Sequence, residues 1–478
     1  MSATGTVRVR HLIGGEWLGE PGGERRNPAR PDDVVAQLPV GGLDEADAAI
    51  EAAQAAARGW RNTPAPARGA ILARAAELLQ ERKQAIAEAL CREEGKTIAE
   101  ATGEVQRAAD IMRFMSGEGW RLIGQTLPSS VPSTHLYTVK EPLGVVALIT
   151  PWNFPIAIPT WKLAPALIAG NAVVLKPAAL TPVSVQHLAE CLLDAGLPAG
   201  VLNVVHGPGG VIGDALVRDE RIAAISFTGS TEVGKRINRL GAERLARVQL
   251  EMGGKNAMVV LDDADPVAAA RIAAAGGFGL TGQACTATSR VIATRGIHDR
   301  LVEALAKEAA AWQPGDGLLP ETRMGPVVSE GQLESDLSYL EVGRQEGAQL
   351  VAGGAQQENF LAPAVFAGVT PTMRIAREEI FGPVIGVIEV ASLDEAIGLA
   401  NDSRYGLSGG IVTNDLTAAM RFADEADIGV VKINRPTTGL DLNAPFGGVK
   451  ESSSGTFREQ GTVAVDFYTR LKTVYLGT

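Results

Sequence analysis

Four short apolar runs constrain this chain more than any other feature. They are Gly144–Ile149 (GVVALI), Ala172–Leu175 (AVVL), Val201–Val205 (VLNVV) and Ala223–Phe227 (AAISF). Each is too short for a helix and has at most one polar side chain, so each reads as a strand buried on both faces. Helical stretches lie at Trp161–Ala169, Thr181–Ala195, Val211–Arg218 and Thr231–Leu240. Such alternation predicts a parallel sheet with crossover helices. A second series begins near Asn256. It runs through AMVVL (Ala257–Leu261), a helix at Pro266–Gly276, SRVIAT, a helix at His298–Ala311, GVIEV and GGIVT. The break between the series falls at Met252-Gly253-Gly254. Three further helices precede the first series: Leu43–Gly59 with Asp44 as N-cap, Arg68–Arg92, and Thr97–Met115. Thr134–Glu141 and the tail Val463–Tyr475 alternate like exposed strands and could form a small third unit.

Composition narrows the function classes. Hydrophobic residues make up 46% of the 478 and charged residues 21%, a globular mixture with neither a disordered nor a coiled-coil bias. A net charge of −11 argues against nucleic acid as the main partner. Cys91, Cys191 and Cys285 form no disulfide framework. The five histidines, His11, His135, His187, His206 and His298, are never paired at ligand spacing, so no metal site is expected. The uncharged stretch Pro142–Trp161 has the length of a membrane span. Its four prolines, Pro142, Pro151, Pro155 and Pro159, break a helix repeatedly, so a strand and structured loop are expected instead. No signal-peptide pattern opens the chain, and a cytoplasmic protein without a membrane partner is expected.

Two phosphate-loop leads fail. EEGKT at Glu93–Thr97 has Leu90 where a P-loop needs glycine, and HGPGG at His206–Gly210 has Ile212 where the third glycine of GxGxxG belongs. Other residues carry more chemistry. Cys285 lies in FGLTGQACTATSR, among small and polar residues after a glycine-rich stretch. It is either a small buried hydrophobe or a nucleophile with backbone N–H groups at hand. Cys91 and Cys191 lie in helices and fit the former. Glu251, beside two glycines at the break, is either an ordinary surface glutamate or a half-buried general base for water. Asn153 in TPWNFP is either a turn residue or an amide donor to a developing oxyanion. Lys176 ends a strand where a parallel sheet binds nucleotides, although a strand-terminal lysine also commonly just reaches solvent. FTGSTEVG at Phe227–Gly234 offers a helix N-terminus to a pyrophosphate, or is a routine turn. Glu379 in EIFGP could place a carboxylate on a ribose.

TPWNFP, KPA, FTGSTEVG, EMGGK, GQACT, EEIFGPV and PFGGVK occur in the order found in the NAD(P)-dependent aldehyde dehydrogenase superfamily, which the chain resembles over nearly its whole length. The resemblance implies an α/β fold in three parts. A Rossmann-like coenzyme domain would take 1–122 and 143–252, an α/β catalytic domain 253–459, and a small β oligomerisation unit 123–142 and 460–478. Homodimers or homotetramers would follow. By the same resemblance Cys285 is the nucleophile, Glu251 the general base, and Asn153 the oxyanion amide. Trp152, Lys176, Gly229, Ser230, Gly253, Glu379 and Phe381 would contact the cofactor. The presence of Glu251 sets the chain apart from the CoA-acylating branch.

Ala179 stands where many NAD-preferring relatives carry Glu. The loss of that carboxylate leaves room for a 2′-phosphate, so NADP is expected to be accepted, alongside NAD. GQACTATSR with Thr286, and PFGGVKESSSGTFREQG, resemble α-ketoglutaric semialdehyde dehydrogenases. Phe154, Trp161 and Phe457 would wall the substrate tunnel. Arg113, Arg121 and Arg435 are the candidate partners for a substrate carboxylate, with surface ion pairs as the plainer reading of each. Trp161 stands where relatives acting on succinic semialdehyde often carry Arg, which weakens that alternative. A broad-range aldehyde dehydrogenase, a cofactor-independent thiol esterase and a catalytically silent protein on the same fold are the rival readings.

Overall fold

The computed structural model describes residues 5–477; residues 1–4 and 478 lie outside it. The first series forms a seven-stranded sheet. Its order is Arg247–Glu251, Ile222–Thr228, Val145–Ile149, Ala172–Lys176, Leu202–Val204, His11–Ile13, Glu16–Leu18. The first five strands are parallel, and the last two add antiparallel at the edge. The second series forms another seven-stranded sheet. Its order is Gln349–Ala352, Ala364–Ala367, Val384–Val390, Thr288–Thr294, Asn256–Val260, Ser408–Val412, Val430–Ile433, and only the first strand is antiparallel.

The apolar runs have the cause expected of them. Val146 and Leu148 enter the core beneath one face of the first sheet, while Val145, Ala147 and Ile149 enter the core on the other. Ala257 and Val259 are likewise separated from Met258 and Val260 in the second sheet. Both faces are covered, so no position can be polar without a partner.

The third sheet pairs Thr134–Pro142 with Thr469–Gly477 over nine residues, flanked by Thr126–Leu127. The tail begins as a helical turn, Ala464–Phe467, and becomes a strand only afterwards. An N-terminal sheet of Val7–Arg8, Arg30–Pro39 and Pro21–Asn27 has no counterpart in the sequence reading.

Some local expectations change. The helix read as Arg68–Arg92 is two helices, Ala65–Glu81 and Lys83–Glu94, broken at Arg82 without glycine or proline. The first long helix is capped at Gly42, whose N–H donates to Glu45 at 2.7 Å, so Asp44 lies inside the first turn. The rejected EEGKT motif ends one helix at Gly95, with φ +103°, and starts the next with a Thr97–Glu100 capping box. Among the described residues no helix is long and apolar enough to cross a membrane.

Candidate active site

The site lies where the two large sheets meet, at the carboxyl ends of the first sheet's strands. Lys176 ends one strand and Glu251 another. The sequence places Glu251 beside the expected break at Met252-Gly253-Gly254. Glu251 is the last residue of the Arg247–Glu251 edge strand, and its carbonyl accepts the N–H of Gly229 at 3.1 Å.

Cys285 follows a tight turn in which Leu280, Thr281 and Gly282 all have positive φ. Such backbone needs outside support. Glu100 accepts the Leu280 N–H at 2.8 Å, and the Gly325 carbonyl accepts from the Thr281 hydroxyl at 3.0 Å. Asn256 then clamps the nucleophile segment, its Nδ2 donating to the carbonyls of Cys285 at 2.9 Å and Ala287 at 2.8 Å. Gly254 is required there, since a Cβ would stand 2.7 Å from the Cys285 carbonyl oxygen. Asn153 arrives from the first sheet. Its Nδ2 donates to the Gln283 carbonyl at 2.9 Å, two residues before the thiol, and its own carbonyl accepts from Lys96 at 2.7 Å.

Cys285 is half-buried, in contrast to the buried Cys91 and Cys191. Burial pushes its thiol up to about 12, and the charges of Glu379, Glu251 and Glu459 push the same way. Glu251 is 2% exposed. Ser453 donates to its Oε1 at 2.9 Å and the Gly448 N–H to its Oε2 at 3.2 Å. Burial first and Glu459 second hold its carboxyl well above the usual range; the two hydrogen bonds and Lys162 oppose them. Thiol and carboxyl are thus both biased toward their protonated forms.

A cavity of about 520 Å³ opens between the sheets, with Ser230, Thr231 and Glu379 in its wall. Ser230 caps the Thr231–Ala242 helix, and its hydroxyl makes no cap bond. Lys176 is 7% exposed, and its ammonium has no partner among the described residues; burial lowers its pKa. Glu379 accepts the Gly254 N–H at 3.0 Å, and burial raises it to about 7. It lies so close over Gly253 that a side chain there would collide with its carboxylate. Trp152 meets Phe381 edge to face, with ring centroids 5.4 Å apart, and Phe381 holds a positive φ of +64° to do so. Ala179 is exposed and presents no carboxylate beside Lys176.

The tunnel residues separate. Trp161 is buried against Phe446, with centroids 5.9 Å apart, and its indole N–H has no partner among the described residues. Phe154 lies under Lys96, whose ammonium is 4.7 Å from the ring centre. Thr286 is buried, and its carbonyl accepts from Thr437 at 2.7 Å. Phe457 turns instead toward Phe467, at 5.5 Å, and Arg247. The candidate arginines lie on the surface. Arg113 pairs with Asp110 on the surface, Arg121 with Glu118, and Arg435 is exposed. Long charged side chains on open helix and loop faces find water or a neighbouring carboxylate instead of a tunnel.

Sequence reasoning missed a buried cluster. Lys162 is ion-paired with Glu459 and donates to Ser226 at 2.8 Å; both charged side chains are at most 2% exposed. Ser226 in turn donates to Gln249 at 3.0 Å. One signal was available: Lys162 is the only charged residue in Ala157–Ala169, a helix buried on every face. Such a lysine must have a buried partner. Asn256 and Gln283 carried no comparable signal. Among the described residues no group of three His, Cys, Asp or Glu could hold a metal ion.

A family model described as the aldehyde dehydrogenase family matches residues 19–474. The chain is 51% identical to an alpha-ketoglutarate semialdehyde dehydrogenase of Haloferax volcanii over 98% of both chains. It is 49% identical to a 2,5-dioxopentanoate dehydrogenase of Saccharolobus solfataricus, over 94% of this chain and 95% of that one. A crystal structure of betaine aldehyde dehydrogenase from Staphylococcus aureus in complex with NAD+ superposes with a TM-score of 0.95. It is 33% identical and covers 98% of this chain and 95% of its own.

Proposed function

The chain belongs to the aldehyde dehydrogenase family, and from that premise we propose that it oxidises α-ketoglutaric semialdehyde to its dicarboxylic acid with NADP or NAD. The observation that carries the chemistry is the convergence at one sheet boundary of the half-buried Cys285 thiol, the Asn153 amide and the buried Glu251 carboxyl. The substrate rests on the relatives named above.

The fit to a dinucleotide rests on the unpartnered ammonium of Lys176, the unbonded Ser230 hydroxyl at a helix N-terminus, and the cavity whose wall holds Ser230 and Glu379. Lys176 and Glu379 would hold riboses, Ser230 and Gly229 the pyrophosphate, and Trp152, Gly253 and Phe381 would border the nicotinamide. The bound cofactor supplies the acceptor for hydride. Exposed Ala179 repels no 2′-phosphate, which supports use of NADP.

At pH 7 the Cys285 thiol is protonated, so attack requires a base. The ionised fraction of Glu251, made more basic by its burial, takes that proton. The sulfur bonds to the aldehyde carbon and the carbonyl oxygen becomes an oxyanion. Asn153 Nδ2 and the Cys285 N–H donate to it. Loss of hydride from the carbon leaves a thioester on Cys285. Glu251 then passes the thiol's proton to solvent and, a carboxylate again, accepts a proton from water as that water's oxygen attacks the acyl carbon. The C–S bond breaks, the acid departs, and Glu251 returns its proton to the Cys285 sulfur, which restores the thiol.

Oligomerisation as a homodimer or homotetramer is supported by Leu471, Tyr475 and Leu476, all exposed on the third sheet. A cytoplasmic setting suits a free, reactive Cys285. The test is kcat/KM for α-ketoglutaric semialdehyde, succinic semialdehyde, glycolaldehyde, pentanal and benzaldehyde, each with NAD and NADP. A preference above about tenfold, roughly 1.4 kcal/mol, for the first is expected. A flat profile refutes the substrate.

A further inference from the structure

The proposed substrate ends in a carboxylate, and the three arginines expected to meet it lie on the surface. Another arginine is placed differently. Arg107 sits on the Ile98–Ser116 helix, one turn beyond Glu104. Glu104 accepts the N–H groups of Ile156 and Ala157, both at 3.0 Å, so this stretch of helix abuts the loop carrying Asn153 and Phe154. The Arg107 guanidinium donates to the Leu440 carbonyl and, at 2.5 Å, to Gln460 Oε1.

Those two acceptors lie on segments that pair with each other. Phe446 and Glu459 exchange backbone hydrogen bonds of 2.7 Å, and the Gly461 N–H donates to Leu442 at 3.1 Å. Phe446 packs on Trp161, and Glu459 is the partner of Lys162 beside Glu251. Arg107 therefore spans from the Asn153 loop to the strand pair that covers Trp161. It has no ion pair among the described residues, and two of its five N–H donors are used. Burial lowers its pKa, while Asp441, Asp110 and Glu104 act from a distance to hold the charge. A half-buried guanidinium with spare donors and no carboxylate is a ready site for one.

We propose that Arg107 binds the distal carboxylate of the aldehyde substrate with the donors left over from Leu440 and Gln460, and so sets the preference for carboxylated aldehydes. This rests on the substrate reading above. The test compares wild type, Arg107→Gln and Arg107→Lys on α-ketoglutaric semialdehyde and on pentanal, an uncharged aldehyde of the same chain length. Glutarate serves as a competing dicarboxylate whose inhibition constant reads binding without turnover. In Arg107→Gln, kcat/KM for the semialdehyde should fall about 10- to 100-fold, mainly through KM. Glutarate should weaken by a similar factor, and pentanal should change by less than about twofold. Arg107→Lys should keep part of the preference, and it carries the same comparison if the Gln variant does not fold. Equal losses for both aldehydes would show Arg107 to be only a clasp for Leu440 and Gln460, and would overturn the proposal. So would an unchanged semialdehyde KM. A wild type without preference for the semialdehyde over pentanal would overturn the substrate reading itself, and the proposal with it.

Discussion

Replacing Lys162 by Met probes the buried charge cluster behind the general base. The lysine and Glu459 side chains are 1% and 2% exposed, so neither charge has water to fall back on. Removing one member of such a pair costs about 3–5 kcal/mol, because the other is left buried and unpaired. The Ser226 hydroxyl also loses its donor at 2.8 Å. The cost should depend on pH. Lys162 lowers the pKa of Glu251, which burial and Glu459 already hold well above its usual value, so the variant raises Glu251 further. A carboxyl whose folded pKa exceeds its unfolded value, about 4.3, costs nothing below that pH. The cost grows as pH rises toward the folded value. Urea midpoints should therefore separate wild type from Lys162→Met more at pH 8 than at pH 5. The acid limb of the kcat profile should move to higher pH. Glu459→Gln added to Lys162→Met removes the stranded charge, so the double variant should be more stable than additivity predicts by at least about 1 kcal/mol. Additivity within about 0.5 kcal/mol, or an equal destabilisation at both pH values, would refute the account.

Three other outcomes are expected. Alkylation of Cys285 by iodoacetamide in the cofactor-free enzyme should accelerate about tenfold per pH unit from 7 to 10, because the thiol is pushed up to about 12; mass spectrometry of the modified peptide would expose a plateau near pH 8 and contradict this. Ala179→Glu should lower kcat/KM for NADP at least about tenfold, roughly 1.4 kcal/mol, with little change for NAD, as read at 340 nm. Asn256→Ala removes hydrogen bonds of 2.9, 2.8 and 3.1 Å from the nucleophile segment and Ser408. At about 1 kcal/mol each it should cost about 3 kcal/mol of stability, and kcat should fall more than KM changes; a urea midpoint like that of wild type would count against the clamp.

The limits of local reading show at particular residues. The run GVVALI announced its burial because both faces of Val145–Ile149 are covered. The Arg82 break did not announce itself, since Arg82 is an ordinary helix former whose backbone leaves the helix only in the packed chain. Glu251 was recognisable in EMGGK, yet its place at the end of an edge strand was hidden by the glycines that follow. Arg113, Arg121 and Arg435 were the arginines singled out in the chain, and nothing in its sequence neighbours marked Arg107, which packing sets beside the Asn153 loop. Lys162 was detectable as a charge in an apolar helix, but its partner was not.

By itself the amino-acid order determined the central strands of two parallel sheets, the exposed strand at Thr134–Glu141, and Cys285, Glu251 and Asn153 as the residues to watch. Periodicity reports which faces are buried, and ordered motifs are read within a few residues. Only the tertiary structure decided which charges meet. Lys162 and Glu459 lie 297 positions apart and Arg107 and Gln460 lie 353 apart. Contacts across such distances are made by the stacking of whole sheets and leave no trace in the local pattern of either partner.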